Sequence, residues 1–308
     1  MNTVPPTQSR VWRIVALVAA GLLIYACDRS PTSSEKAAQL SAKVAQAAAA
    51  VTGQDAPLAD EAEAGRFLGF DTYTYPGDEK MRAWKNARNA PYNWVGFYLP
   101  GSPCYKGTSW RGKRQTLVDM GWGLAVVYVG QQTWNRRLRS LTPTQLAAQK
   151  RRGVTCNADF LGAGRGVEEG YDAIRKAEAE GFPKGTVIFL DIERMERMPE
   201  RMREYYKGWT STVLRDGRYR PGVYVHSHNA AAVYADVKQA FRLAGVDEEP
   251  RFWIASARDF SPDKAPQEVG HEFAGMWQGV IDVVRKVADV ALPIDINVSN
   301  WQSPSDVE

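Results

Sequence analysis

The chain has 308 residues, 44% of them hydrophobic and 24% charged. That apolar fraction excludes a disordered chain, and three cysteines are too few for a small disulfide scaffold. Lys and Arg number 39 against 35 Asp and Glu, a formal charge of +4 without a polybasic block, so nucleic acid is not an expected partner. The length suits two average domains or one α/β barrel of about 250 residues.

Residues 1–26 read as an export signal. Arg10 and Arg13 lead into an apolar run, Ile14 to Ala26, which is shorter than the roughly 20 residues of a membrane span. The run ends Leu23-Ile24-Tyr25-Ala26-Cys27. This resembles a bacterial lipobox, with Tyr25 as a departure, and implies that Cys27 is lipidated and becomes the first mature residue. Asp28 resembles an inner-membrane retention signal. The expected location is the cell envelope, lipid-anchored, on a periplasmic or extracytoplasmic face. Losing Arg10 and Arg13 halves the formal charge. Residues 27–66 form the expected tether, alanine-rich over Glu35 to Val51 and therefore partly helical. With Cys27 lipidated, Cys104 and Cys156 are left as an even pair. In an oxidising compartment that suggests one disulfide, with two free thiols as the alternative.

Residues 67–302 alternate between strand-like and helical stretches, ahead of a tail at 303–308. The expected strands are Phe67–Asp71, Trp94–Leu99, Gly123–Val129, Val187–Glu193, Gly222–His226, Phe252–Ala257, Phe273–Trp277 and Ile294–Val298. Helices are expected over Asp78–Ala90, Arg114–Met120, Pro143–Arg152, Val167–Glu180, Pro199–Asp216 and Ala230–Ala244. Runs such as Val-Ile-Phe-Leu are apolar on both faces, as in buried parallel strands. Eight strands with helices between them predict a single (β/α)8 TIM-type barrel. A doubly wound sheet is the alternative, but Asp71 is followed by Thr-Tyr-Thr-Tyr rather than a dinucleotide-binding glycine turn.

Barrel chemistry gathers at the carboxyl ends of the strands. Acids stand there: Asp71, then Asp191 and Glu193, then Asp295. Residues two apart on a strand share a face about 6.5–7 Å apart. Two close carboxylates raise the pKa of one of them, so one can stay protonated while the other is ionised, as glycoside hydrolysis requires. The plainer reading is that Asp191-Ile192-Glu193 leads into a charged loop and pairs with its arginines. Tyr98, Tyr128, Trp134, Tyr224, Trp253 and Trp277 fall near strand ends and could stack on sugar rings, though each could equally be core. His226 and His228 have metal-like spacing but no obvious third ligand, since His271 is distant; no metal or cofactor is expected. Ser227 lies in no G-x-S-x-G elbow, and no P-loop occurs.

Gly69-Phe70-Asp71, Asp191-x-Glu193, Gly222-Val223-Tyr224, Trp253-Ile254-Ala255, Trp277-Gln278 and Asp295-Ile296-Asn297 occur in the order seen in family 25 glycoside hydrolases, the lysozyme-type muramidases. The sequence is more similar to the glycoside-hydrolase-like domain of unknown function 1906, through Gly69–Thr72, Val95–Tyr98 and Gly121-Trp122-Gly123-Leu124 with Val127–Gly130. The resemblance covers about residues 67–302. It implies a β/α barrel acting on peptidoglycan or another amino-sugar glycan. Glu193 would be the general acid. Asp191 and Asp295 would stabilise positive charge or position an N-acetyl group, and Asp71 would support the acid or the sugar. Cys104, Gly130–Gly166 and Gly279–Leu292 look like family-specific loops. A non-catalytic glycan-binding module and an envelope scaffold are the competing readings.

Overall fold

The computed structural model describes residues 66–133 and 156–306. The signal, the tether with Cys27, Trp134 and the helix expected over Pro143–Arg152 lie outside them.

Eight strands close into one barrel in sequence order. They are β1 (Phe67–Asp71), β2 (Trp94–Tyr98), β3 (Gly123–Tyr128), β4 (Val187–Ile192), β5 (Arg220–His226), β6 (Phe252–Ala255), β7 (Ala274–Val287) and β8 (Val290–Ser299). The helices are α1 (Asp78–Lys85), α2 (Arg114–Asp119), α3 (Ala163–Ala179), α4 (Glu200–Asp216) and α5 (Ser227–Leu243). Short 3₁₀ turns cover Ala158–Phe160 and Pro266–Val269. The predicted α/β barrel is present.

Its last quarter departs from a repeating βα unit. β1 to β7 pair in parallel, but β8 runs antiparallel to both β7 and β1. Gly279–Leu292, expected as a loop, is mostly strand: β7 and β8 extend past the barrel rim as a hairpin. Between them Ala288 and Asp289 both have positive φ, 47° and 64°, as a two-residue hairpin turn requires. Register shifts at Gln278/Val280 and Val280/Val283 break the period-two pattern by which sequence reveals a strand.

The parity of each strand decides what enters the barrel. Gly69 and Asp71, Phe189 and Asp191, and Gly222 and Tyr224 are i, i+2 pairs on one face, and Trp94 and Tyr98 share a face as i and i+4. Trp94, Phe189 and Trp253 fill the interior, Trp94 and Trp253 meeting edge to face at 5.5 Å between centroids. Gly69 makes room for them, because a Cβ there would lie 2.1 Å from the Trp94 indole. Polar groups stand on this aromatic floor. Outside, α3 and α4 pack closely through small residues: a Cβ on Gly166 would meet the Tyr205 carbonyl at 2.0 Å.

Cys104 and Cys156 are bonded, with an S–S distance of 2.05 Å, and join the loops after β2 and β3. The link spans 52 residues, so replacing both cysteines with alanine is expected to cost up to about 4 kcal/mol of unfolding free energy. Denaturant unfolding of the full chain measures this. An unchanged midpoint would show that the link adds no stability.

Candidate active site

Asp71 sits at the end of β1, 3% exposed. A Cβ on Gly96 of β2 would lie 2.6 Å from the Asp71 Cβ, so glycine there gives the acid its space. The Tyr98 hydroxyl donates to Asp71 Oδ1 at 2.8 Å. Gln278 Nε2 and Asn297 Nδ2 donate to Oδ2, both at 2.9 Å. Burial raises this carboxyl above its ordinary value, and the three donors, which favour its charged form, offset that only in part.

Asp191 is held differently. It is 8% exposed, and among the described residues its Oδ1 has no hydrogen-bond partner. Burial, then the nearby Glu193 and Asp71, push it well above the usual carboxylate range. Glu193 lies one residue past β4 and its side chain is exposed at the mouth of the cup. Partial loss of hydration raises it, against a backbone bond from Arg194. Asp295 faces Asp71 directly across the antiparallel β1–β8 pair. It accepts from the Asp282 amide at 2.7 Å and from Gln278 at 3.3 Å. Burial and the Asp71 charge raise it to about 7. Among the described residues, no Lys or Arg is ion-paired to any of the four acids, so the arginine-pairing reading of Asp191 and Glu193 finds no support there. No three His, Cys, Asp or Glu side chains among the described residues could hold one metal ion.

The aromatic candidates divide by strand parity. The Tyr224 hydroxyl donates to Gln278 Oε1 at 2.6 Å, which puts Tyr98 and Tyr224 both in the cup. Trp253 lies beneath, buried, donating to Asn297 Oδ1 at 2.9 Å. Tyr128 and Trp277 are buried elsewhere, Tyr128 bonded to Asp172 of α3 and Trp277 to the Ser256 carbonyl. Buried rings offer no face to a sugar, so Tyr128, Trp253 and Trp277 are packing residues in this structure. His226 caps α5, accepting from the His228 amide, and Ser227 is bonded to His271.

Sequence reasoning gave no role to Gln278 and Asn297, although both stood in the quoted motifs. It missed Tyr73, an exposed ring two residues after Asp71 that packs on Tyr105 at 4.7 Å between centroids. It also missed Gln132. A cavity of about 940 Å³ opens at the opposite end of the barrel, beside Arg220, Tyr234 and Trp301. Of its acids Glu248, Glu249 and Glu272, the first two are ion-paired to Arg220 and Lys238.

A model of the Rv2525c-like, glycoside hydrolase-like domain matches residues 82–299. The chain belongs to this family. No functionally curated protein matches the sequence. The barrel of this Rv2525c-like chain is similar to an uncharacterized protein of B. stearothermophilus, at 18% identity and a TM-score of 0.50, covering 76% of this chain and 95% of the other. It is also similar to the Tat-secreted protein Rv2525c of Mycobacterium tuberculosis, at 19% identity, TM-score 0.43, and 76% and 94% coverage. A family GH25 lysozyme from Aspergillus fumigatus aligns at 11% identity, TM-score 0.43, with 79% and 100% coverage. At these identities the likeness is one of fold.

The raised acids predict a pH dependence of stability. Asp295, at about 7 when folded, binds its proton more tightly than in the unfolded chain. The folded state therefore carries the extra proton between the ordinary carboxyl value and about 7, and stability falls as pH rises through that window. His226, lowered by burial, acts in the opposite sense, so the readout is a difference. Asp295→Asn should gain Tm relative to wild type as pH goes from about 5 to about 8. A Tm difference independent of pH would refute the raised value.

Proposed function

We propose that the chain is a lipid-anchored envelope protein whose barrel hydrolyses glycosidic bonds of peptidoglycan or a related amino-sugar polymer by carboxylate acid catalysis. The reading is carried by one observation: four acids stand at one rim of a family glycoside-hydrolase-like barrel, and their hydrogen bonding is unequal. Asp71, with three donors, is suited to hold negative charge. Asp191, with an unpartnered buried oxygen, is suited to hold a proton. Glu193, open to solvent, is the group that reaches a bound substrate and reloads from water.

In this reading Glu193 gives its proton to the glycosidic oxygen as the C–O bond breaks. The positive charge growing on the sugar lies toward Asp71 and Asp295. An N-acetyl oxygen of the substrate closes on the anomeric carbon, oriented by Asp191 and Asp295, and Tyr98 and Tyr224 border the ring. Water then opens that intermediate, with the ionised Glu193 taking its proton. No protein nucleophile is required.

The test is release of reducing ends from purified peptidoglycan and other amino-sugar polymers by the full chain. Glu193→Gln should lower the rate by about 10²–10⁴-fold, and Asp191→Asn should lower it too. Substrate retention without release by wild type would mark a glycan-binding module, and neither retention nor release would sink the glycan reading. The anchor rests on the Leu23–Cys27 segment and is tested separately. Cys27→Ser should abolish incorporation of labelled fatty acid and release the protein from membranes; incorporation that survives the change would remove this part.

A further inference from the structure

β3 stops pairing with β4 at Tyr128 and Leu190. Just beyond, at the end of the same strand, Asp191 and Glu193 have no β3 residue paired with them on that side. The gap is filled by a side chain. Gln132 Nε2 donates to the Asp191 carbonyl at 2.9 Å, and Gln132 Oε1 accepts from the Glu193 amide at 3.3 Å. A carbonyl at one residue and an N–H two residues on are what the N–H and C=O of a single residue engage across a parallel ladder. The primary amide of Gln132 reproduces that pair, and Gln132 is 1% exposed.

The loop carrying Gln132 is itself fixed. The Gln131 amide donates to the Tyr205 hydroxyl at 3.1 Å, and Gln131 Nε2 donates to the buried Glu169 at 2.9 Å. Gln131 Oε1 accepts from the Asn157 amide at 2.7 Å, next to the Cys104–Cys156 bond. The Val129 carbonyl accepts from the Cys104 amide at 3.1 Å. The strap is thus tied to α3, to α4 and to the disulfide before it reaches the acids.

We propose that Gln132 is the positioning residue for Glu193: its amide replaces the missing β3 partner and fixes the direction in which the Glu193 side chain leaves β4. Glu193 lies beyond the last β3–β4 pair and is open to solvent, so among the described residues Gln132 is what its backbone N–H bonds to on this edge. A proton donor misplaced by about 1 Å loses rate steeply. The catalytic consequence rests on the glycosidase reading; the positioning does not.

The test therefore has two arms on the full chain. In the first, amide hydrogen exchange is followed by NMR in wild type, Gln132→Ala and the volume-matched Gln132→Met. The Glu193 amide should exchange at least about tenfold faster in both variants, while the Val187–Leu190 ladder amides keep their protection. Unchanged protection at Glu193, or equal loss along all of β4, would overturn the proposal whatever the activity. In the second arm, on a substrate that wild type cleaves, Gln132→Met should lower kcat about tenfold with KM within about twofold. Gln132→Glu keeps the acceptor but sets a charge against the Asp191 carbonyl; protonation restores the donor. Its activity relative to wild type should therefore rise as pH falls. A flat ratio, with kcat unaffected in Gln132→Met, would refute the catalytic role of the position. Inactive wild type with a faster Glu193 amide in the variants would instead refute the glycosidase reading and leave the positioning supported.

Discussion

Asp71 is a carboxylate in the middle of a protein, and three strands beside its own are committed to it. Tyr98 comes from β2, Gln278 from β7 and Asn297 from β8. Hydrogen bonds to a charged group contribute about 1.5–3 kcal/mol each, and the loss of a single one leaves a desolvated oxygen behind. Two of the three donors are in turn held: Gln278 by Tyr224 and Asn297 by Trp253. The chain of bonds runs from the aromatic floor to the rim and crosses the seam where β8 meets β1. Barrel closure and the charge in the cup are therefore one constraint. The other acids titrate upward mainly because they are buried, and the charge beside them adds to that.

Much of that arrangement was legible in sequence, and the reason is parity. Val187–Leu190 is apolar on both faces because β4 is buried on both, so the first acids after it had to lie at a strand end. Asp191 and Glu193 then shared a face by spacing alone. The same rule shows why the aromatic candidates were only partly separable. Trp277 and Gln278 are neighbours on β7 and must point opposite ways. Nothing local says which points in, and it is Gln278 that does. Tyr98 and Tyr128 both stand near strand ends, yet one faces Asp71 and the other Asp172.

Other parts were hidden because their signals are not periodic. The β7–β8 hairpin carries two register shifts, so its alternation is broken where a reader would look for it. Gln132 sits in a loop, with no repeat and no charge to single it out. Its importance arises only because β3 ends two residues earlier in the pairing than β4 needs. Glu169 looked like one more helix carboxylate, but the close approach of α3 and α4 through Gly166 buries it against Tyr205. Burial raises it to about 7, which marks it as part of the strap rather than of the solvent-facing helix surface.

The direction of β8 resolves a conflict that an all-parallel barrel cannot. With every strand running the same way, an acid near the start of the last strand would stand at the end away from Asp71 and Asp191. Reversing β8 brings Asp295 to the rim that carries Asp71 and Asp191 and sets it directly opposite Asp71. Facing like charges on adjacent strands repel, and both carboxylates cannot be ionised without cost. Asp71 has the three donors that favour charge; Asp295 has one backbone amide and a longer bond to Gln278. Asp295 is therefore the less well-stabilised anion of the pair, and burial, with the Asp71 charge adding to it, raises it to about 7. The same reversal builds the hairpin whose Asp282 amide holds Asp295 in place. The departure from the regular barrel and the division of charge in the cup thus have a single structural origin.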